Sequence, residues 1–108
     1  MGRAARPKPL RLGEKLLRIR VALGLSQDRM VERLSASDTL TSASISAYEL
    51  GQREPPLMVL LEYARLANVY LDALADDDLE LPKQLPAGAK SEGIRQERSK
   101  NSSSKKKR

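Results

Sequence analysis

Leu12, Leu16, Ile19 and Leu23 recur at intervals of four, three and four residues. No stretch of the chain shows the period-two alternation of a half-buried strand. The spacing puts these four side chains on one face of a first helix, and Gly24 follows where a left-handed cap is wanted. Ser26 is placed to cap a second helix, Asp28 suits its positive end, and Met30, Val31 and Leu34 supply its inward face. Residues 35–40 lack apolar periodicity and are rich in residues that compete for backbone hydrogen bonds, so they read as a loop. Thr41 then caps a third helix, with Ile45 and Tyr48 inward and Gly51 closing it. Pro56, after Arg53-Glu54-Pro55, fits the first position of a fourth helix running to about Ala67 and ending near Asn68. Its inward face is expected at Leu57, Leu60, Leu61, Ala64 and Ala67, and Leu71 to Ala75 forms a short fifth helix on Leu71 and Leu74. Five helices and no strand make an all-α domain over residues 10–81.

The chain of 108 residues has no Cys and no His. Thiol nucleophiles, disulfide frameworks, zinc ribbons and imidazole acid–base catalysis therefore lack their side chains. The longest apolar run, around Leu57 to Leu61, is far short of the roughly 20 residues that cross a bilayer. Arg3, Arg6, Lys8 and Arg11 have no apolar h-region behind them, so no secretory signal is expected. A soluble cytoplasmic protein, without metal or cofactor, is the expectation.

Charge is divided along the chain. Residues 1–11 hold four cations and no anion, residues 82–108 nine cations and two anions, and residues 12–81 seven cations against twelve anions. Basic ends around an acidic middle suggest an ordered domain between two arms able to follow a polyanion. Residues 82–108, with only Leu85 and Ile94 as large apolar residues, are expected to be a disordered basic tail, and residues 1–9 a flexible basic arm. An opposing expectation is that the tail folds back on Asp72, Asp76, Asp77, Asp78 and Glu80.

The ordered set Gly24-Leu25-Ser26-Gln27, Met30-Val31, Leu34, Ile45 to Gly51, Arg53 to Pro56, Leu60, Ala64 and Val69 to Asp72 resembles the phage repressor and Cro-like helix-turn-helix family, the Xre type. The resemblance covers about residues 11–76 and implies a compact five-helix lambda-repressor-like domain that binds double-stranded DNA as a homodimer. It implies that helix three, about 42–50, enters the major groove, whose width of roughly 12 Å admits a helix, while helix two lies across the backbone. Carried over position by position, the base-facing residues are Ser42, Ala43, Ser46 and Ala47. The phosphate contacts are Gln27, Ser44, Gln52 and Arg53, with Gln27 aided by the amides at the start of helix two. Arg20 and Glu49 match positions that form a partly buried ion pair orienting helix three.

Two departures stand out. All four base-facing residues are small, so the bidentate pairs that Arg, Gln or Asn make with guanine or adenine cannot form there. Hydroxyl contacts, methyl contacts to thymine and recognition of DNA shape remain. The turn is also long: ten residues separate Leu34 from Ile45, against about six in the family, and Ser35, Ser37 or Thr39 stand as alternative phosphate contacts. Arg3, Arg6, Lys8 and Arg11 at one end and Lys105, Lys106, Lys107 and Arg108 at the other are candidate accessory arms, whose phosphate contacts would release counterions. Tyr48, Tyr63 and Tyr70 read as packing residues and not as base-stacking platforms.

The reading is a transcriptional regulator, a repressor, and not an enzyme. Its rival is an antitoxin whose tail from Pro82 folds on a protein partner. Asp76-Asp77-Asp78 makes a poor metal site, since adjacent residues at a helix end point apart and no second acidic motif completes it.

Overall fold

The computed structural model describes residues 9–34 and 40–95. Its elements are α1 (Leu12–Ala22), α2 (Gln27–Arg33), α3 (Ser42–Glu49), α4 (Leu57–Ala67), α5 (Asp72–Ala75), β1 (Leu79–Glu80) and β2 (Ile94–Arg95). Local chemistry sets the helix ends. Beyond α1, Leu25 N donates to Arg20 O and Gly24 N to Val21 O, the paired bonds of a Schellman turn. Ser26 Oγ accepts from Arg29 N at 3.1 Å and starts α2. Thr41 and Ser44 form a reciprocal capping box at the start of α3, each hydroxyl accepting from the other residue's amide at 3.3 Å. Pro56 stands at the N-cap of α4, one position earlier than the sequence suggested, and Asn68 ends α4 in the left-handed region.

The core gathers Leu16, Ile19, Met30, Leu34, Ile45, Val59, Tyr63, Val69 and Leu74, all at most 2 % exposed. The phase of α4 differs from expectation. Val59 and Tyr63 face inward beside Leu60, Ala64 and Ala67, while Leu57 is exposed and Leu61 only half-buried. Five consecutive apolar residues from Leu57 give periodicity little to choose between. The site of the long turn, residues 35–39, lies outside the described residues, as do Ser35, Ser37 and Thr39.

The boundary expected at residue 81 requires correction, and so does the absence of strands. Residues 82–95 are a strap laid across the helical body. Leu81 and Leu85 are buried, Ala87 N donates to Ala67 O, Asn68 Nδ2 donates to Ala87 O, and Tyr70 N and Ser91 N bond to Ser91 O and Asn68 O. Beyond them β2 pairs antiparallel with β1, Leu79 opposite Arg95 and Glu80 opposite Ile94. Backbone pairing and the buried Leu85, which contributes about 1.5–3 kcal/mol over exposure, supply what composition alone seemed to deny this segment. Residues 1–8 and 96–108, with Arg3, Arg6, Lys8, Lys105, Lys106, Lys107 and Arg108, lie outside the described residues.

Arg11, Lys15 and Arg18 lie four and three residues apart on one side of α1 and grip the C-terminal segment. Arg11 pairs with Glu80 at 2.8 Å and Glu14 at 2.9 Å and donates to Asp77 O. Lys15, 2 % exposed, donates from Nζ to the carbonyls of Ala73 and Asp76, both at 2.9 Å, and burial lowers its pKa. Arg18 donates to the carbonyls of Leu81, Pro82 and Lys83. Asp77 completes the join by accepting from the amides of Leu10 and Arg11. It thereby satisfies free donors at the start of α1, which lacks a side-chain cap of its own.

Candidate nucleic-acid interface

Helices α2 and α3 pack on each other and α3 packs on α1. Helices α1 and α3 come close together at Gly13. A Cβ built there would stand 2.7 Å from Glu49 O and 3.0 Å from Tyr48 O, so the last turn of α3 rests directly on the α1 backbone. Apolar periodicity alone gives Gly13 no role. A glycine inside the first turn of an apolar-periodic helix was the available signal, since it costs about 0.5–1 kcal/mol relative to Ala unless something needs the space.

Arg20 and Glu49 meet in a two-pronged ion pair. Arg20 Nε donates to Glu49 Oε2 at 2.6 Å and Nη2 to Oε1 at 3.1 Å, with 16 % and 6 % of the two side chains exposed. The hydrogen bond to Glu49 raises the guanidinium pKa. The third arm, Nη1, donates to Leu25 O at 2.9 Å, at the entry to α2. One guanidinium thus ties the end of α1, the start of α2 and the end of α3. Gln27, the first residue of α2, joins the cluster: its Nε2 donates to Glu49 Oε1 at 3.2 Å. Tyr63 is fully buried with its hydroxyl unpaired among the described residues. Burial, then the field of Glu49, hold its pKa well above the ordinary value.

The end of α3 places the other flank. Gly51, at φ +75°, allows Gly51 N to reach Tyr48 O and Gln52 N to reach Ala47 O, a second Schellman turn. Arg53 N also bonds to Ala47 O, and the Arg53 guanidinium lies over the Tyr48 ring, 5.6 Å from its centroid. Gln52 and Arg53 are both exposed. A groove of about 240 Å³ beside them is lined in part by Pro9, Leu10, Gly13, Tyr48, Arg53 and Pro55.

Of the residues assigned to the bases, Ala43 is exposed and Ser42, Ser46 and Ala47 are half-buried, giving α3 a face with no long side chain. Two phosphate assignments need correction. Ser44 is 6 % exposed and committed to the capping box with Thr41, so its hydroxyl faces the helix start and not a ligand. Arg11 is held by Glu14 and Glu80, whose hydrogen bonds raise its pKa, so it belongs to the α1 join and not to an arm. The three adjacent aspartates diverge. Asp77 turns to the α1 amides, Asp76 Oδ1 accepts from Asp78 N, and Arg95 approaches Asp76 and Asp78 at 3.7 and 4.0 Å.

Gln27 is thus tied to Glu49, Gln52 and Arg53 stand exposed after α3, and the α3 residues between them carry short side chains. Among the described residues no helix is long and apolar enough to cross a membrane. No curated protein and no solved structure matches the chain. The helix-turn-helix domain family matches it over residues 13–77, from the glycine at the α1–α3 contact to the aspartate that caps α1. With more than half of its length covered by that match, the chain belongs to the helix-turn-helix domain family, whose members bind DNA as transcription regulators.

Proposed function

We propose that the protein is a sequence-specific transcriptional repressor of the phage repressor and Cro-like type, a cytoplasmic binding protein and not an enzyme, acting as a homodimer on a two-fold operator. The observation that carries the reading is the placement of α3: it is locked to α1 through Gly13 and Arg20–Glu49 and leaves Ala43 and its small neighbours outward. In this reading Ser42, Ala43, Ser46 and Ala47 face the major groove and Gln27, Gln52 and Arg53 hold phosphates on either side. A smooth, short-chained helix face reads thymine methyls and groove shape more than hydrogen-bond patterns. Leu57 and Met58, exposed at the start of α4, support a second copy bound beside the α3–α4 loop. Pro9 and Leu10 line the same groove as Arg53, which supports Arg3, Arg6 and Lys8 as an accessory arm. The antitoxin alternative loses ground because residues 82–95 are already paired with the domain.

Selection of bound sequences from a random DNA pool, followed by salt titration on the winner, tests the proposal. A palindrome with half-sites about one helical turn apart is the expected result. Uniform binding of all sequences would remove sequence-specific regulation from it.

A further inference from the structure

Glu49 carries two hydrogen-bonded partners that belong to different helices, and the second has a consequence for the DNA-facing surface. Its Oε2 and Oε1 take the two prongs of Arg20, and Oε1 also accepts from Gln27 Nε2 at 3.2 Å. A carboxylate only accepts, so it fixes which end of the Gln27 amide turns inward: the nitrogen. One N–H of that nitrogen is engaged and the other is left to donate outward. The guanidinium of Arg20 anchors the carboxylate in turn and is itself fixed to Leu25 O, one residue before the cap of α2. Gln27 is half-buried, whereas Gln52 and Gln84 are exposed with no such bond to a side chain among the described residues.

From this geometry we infer that Glu49 is a positioning residue for Gln27, presenting its remaining amide N–H to a DNA phosphate. The inference rests on the DNA-binding reading above and deepens it. A long glutamine side chain otherwise loses its rotamer freedom at the moment of binding, and a side chain already ordered in the free protein avoids that loss. Arg20, Glu49 and Gln27 therefore act as one relay: an ion pair that sets the angle of α3 also sets the aim of a contact on α2. The two are locked in register, so that bases and backbone are met together.

Two measurements test it on the full-length protein. The first is NMR of the side-chain amides in the free protein, with the Gln27 signal assigned by its loss in Gln27→Ala. Slower solvent exchange for Gln27 than for Gln52 and Gln84 in the same spectrum is expected; exchange as fast as theirs would overturn the relay. The second is DNA affinity for the wild type, Gln27→Ala, Glu49→Gln and the double variant, each at a temperature where circular dichroism shows it folded. Each single change should weaken binding about three- to tenfold on every sequence, and Glu49→Gln should cost less once Gln27 is alanine than it does in the wild type, the remainder being its effect through Arg20 on α3. Independent, multiplying losses would mean that Glu49 acts on α3 alone and would overturn the inference. If Gln27→Ala binds as the wild type does while Arg53→Ala is weakened, the DNA reading stands and the inference falls. If the wild type binds no DNA, the reading itself falls and takes the inference with it. Should Glu49→Gln not fold, the amide measurement decides alone.

Discussion

Replacing Gly13 with Ala sets helix propensity against tertiary packing, and the two predict opposite signs. Considered as a helix, α1 gains from the change: Ala is favoured over Gly inside a helix by about 0.5–1 kcal/mol. Considered as a contact, it loses. The new methyl would lie 2.7 Å from Glu49 O, 3.0 Å from Tyr48 O and 3.2 Å from Glu49 C, all backbone atoms that no rotamer change can move aside. Restoring an ordinary separation of 3.4 Å requires the helices to part locally by about 0.7 Å. Overpacking of this kind costs about 1–3 kcal/mol, so the balance is a net destabilisation of up to about 2.5 kcal/mol, centred near 1.

For a domain of this size each kcal/mol corresponds to roughly 4–8 °C in Tm, so thermal melting by far-ultraviolet circular dichroism resolves the sign easily. The effect on binding should exceed the effect on folding. Tyr48 O accepts from Gly51 N in the turn that carries Arg53, and the Glu49 carboxylate holds both Arg20 and Gln27, so the displaced residues are those on which both flanks of the proposed interface depend. DNA affinity measured well below Tm should therefore fall in Gly13→Ala. A variant that melts above the wild type and binds equally well would refute the argument, because propensity would have won and the α1–α3 contact would be looser than described.

Other perturbations isolate other parts of the fold. Tyr63→Phe removes a buried hydroxyl with no partner among the described residues, so stability should be unchanged or rise by up to about 1 kcal/mol; a clear loss in urea melts would mean that the hydroxyl is bonded. The amide of Leu10, then that of Arg11, holds the Asp77 carboxyl below the usual range. Because its folded pKa lies below the unfolded one, this stabilisation is present above about pH 4 and lost as pH falls through the folded value, and Asp77→Asn should flatten that acid limb in melts run across pH. A chain ending at Arg95 should melt like the full-length protein, whereas one ending at Leu81 loses buried Leu85 and the bonds at Ala87 and Ser91 and should be destabilised by about 2–4 kcal/mol; equal melting of the two would contradict the strap.

The helices were legible because their signals are local. Apolar spacing in α1, side-chain caps at Ser26 and Thr41, and Gly at the ends of α1 and α3 are each written within a few residues. What escaped was long in range or ambiguous in type. Ser44 looked like a small polar residue available to a phosphate, since a capping box usually declares itself by Glu or Gln at that position. Gly13 is explained only by carbonyls more than thirty residues away. The strap escaped because backbone pairing holds much of it, and backbone groups are the same in every residue; low apolar content was a true observation that did not imply disorder. Deleting residues 82–108 as a test of a basic tail would consequently remove a structural element along with the charge. Residues 96–108 are the part whose removal isolates the charge, and loss of their cations should flatten the salt dependence of DNA binding.

The strap and α3 meet through α1. Successive residues of a helix turn by about 100°, so Arg11, Lys15 and Arg18 share one side while Gly13 and Arg20, seven apart, share the opposite one. The first side holds the carbonyls of Ala73, Asp76, Asp77 and residues 81–83; the second holds the backbone and carboxylate at the end of α3. Arg20 and Gly13 can present α3 at a fixed angle only if α1 itself is held. In a domain with so few core residues, that hold comes from cations clasping backbone carbonyls on the far side and from Asp77 capping the first turn. A perturbation of the C-terminal segment therefore reaches α3, the helix proposed to face DNA, by moving α1. The same logic explains why the acidic stretch from Asp72 to Glu80, which works against a polyanion electrostatically, sits behind α1, where its charges face Arg11, Lys15 and Arg95.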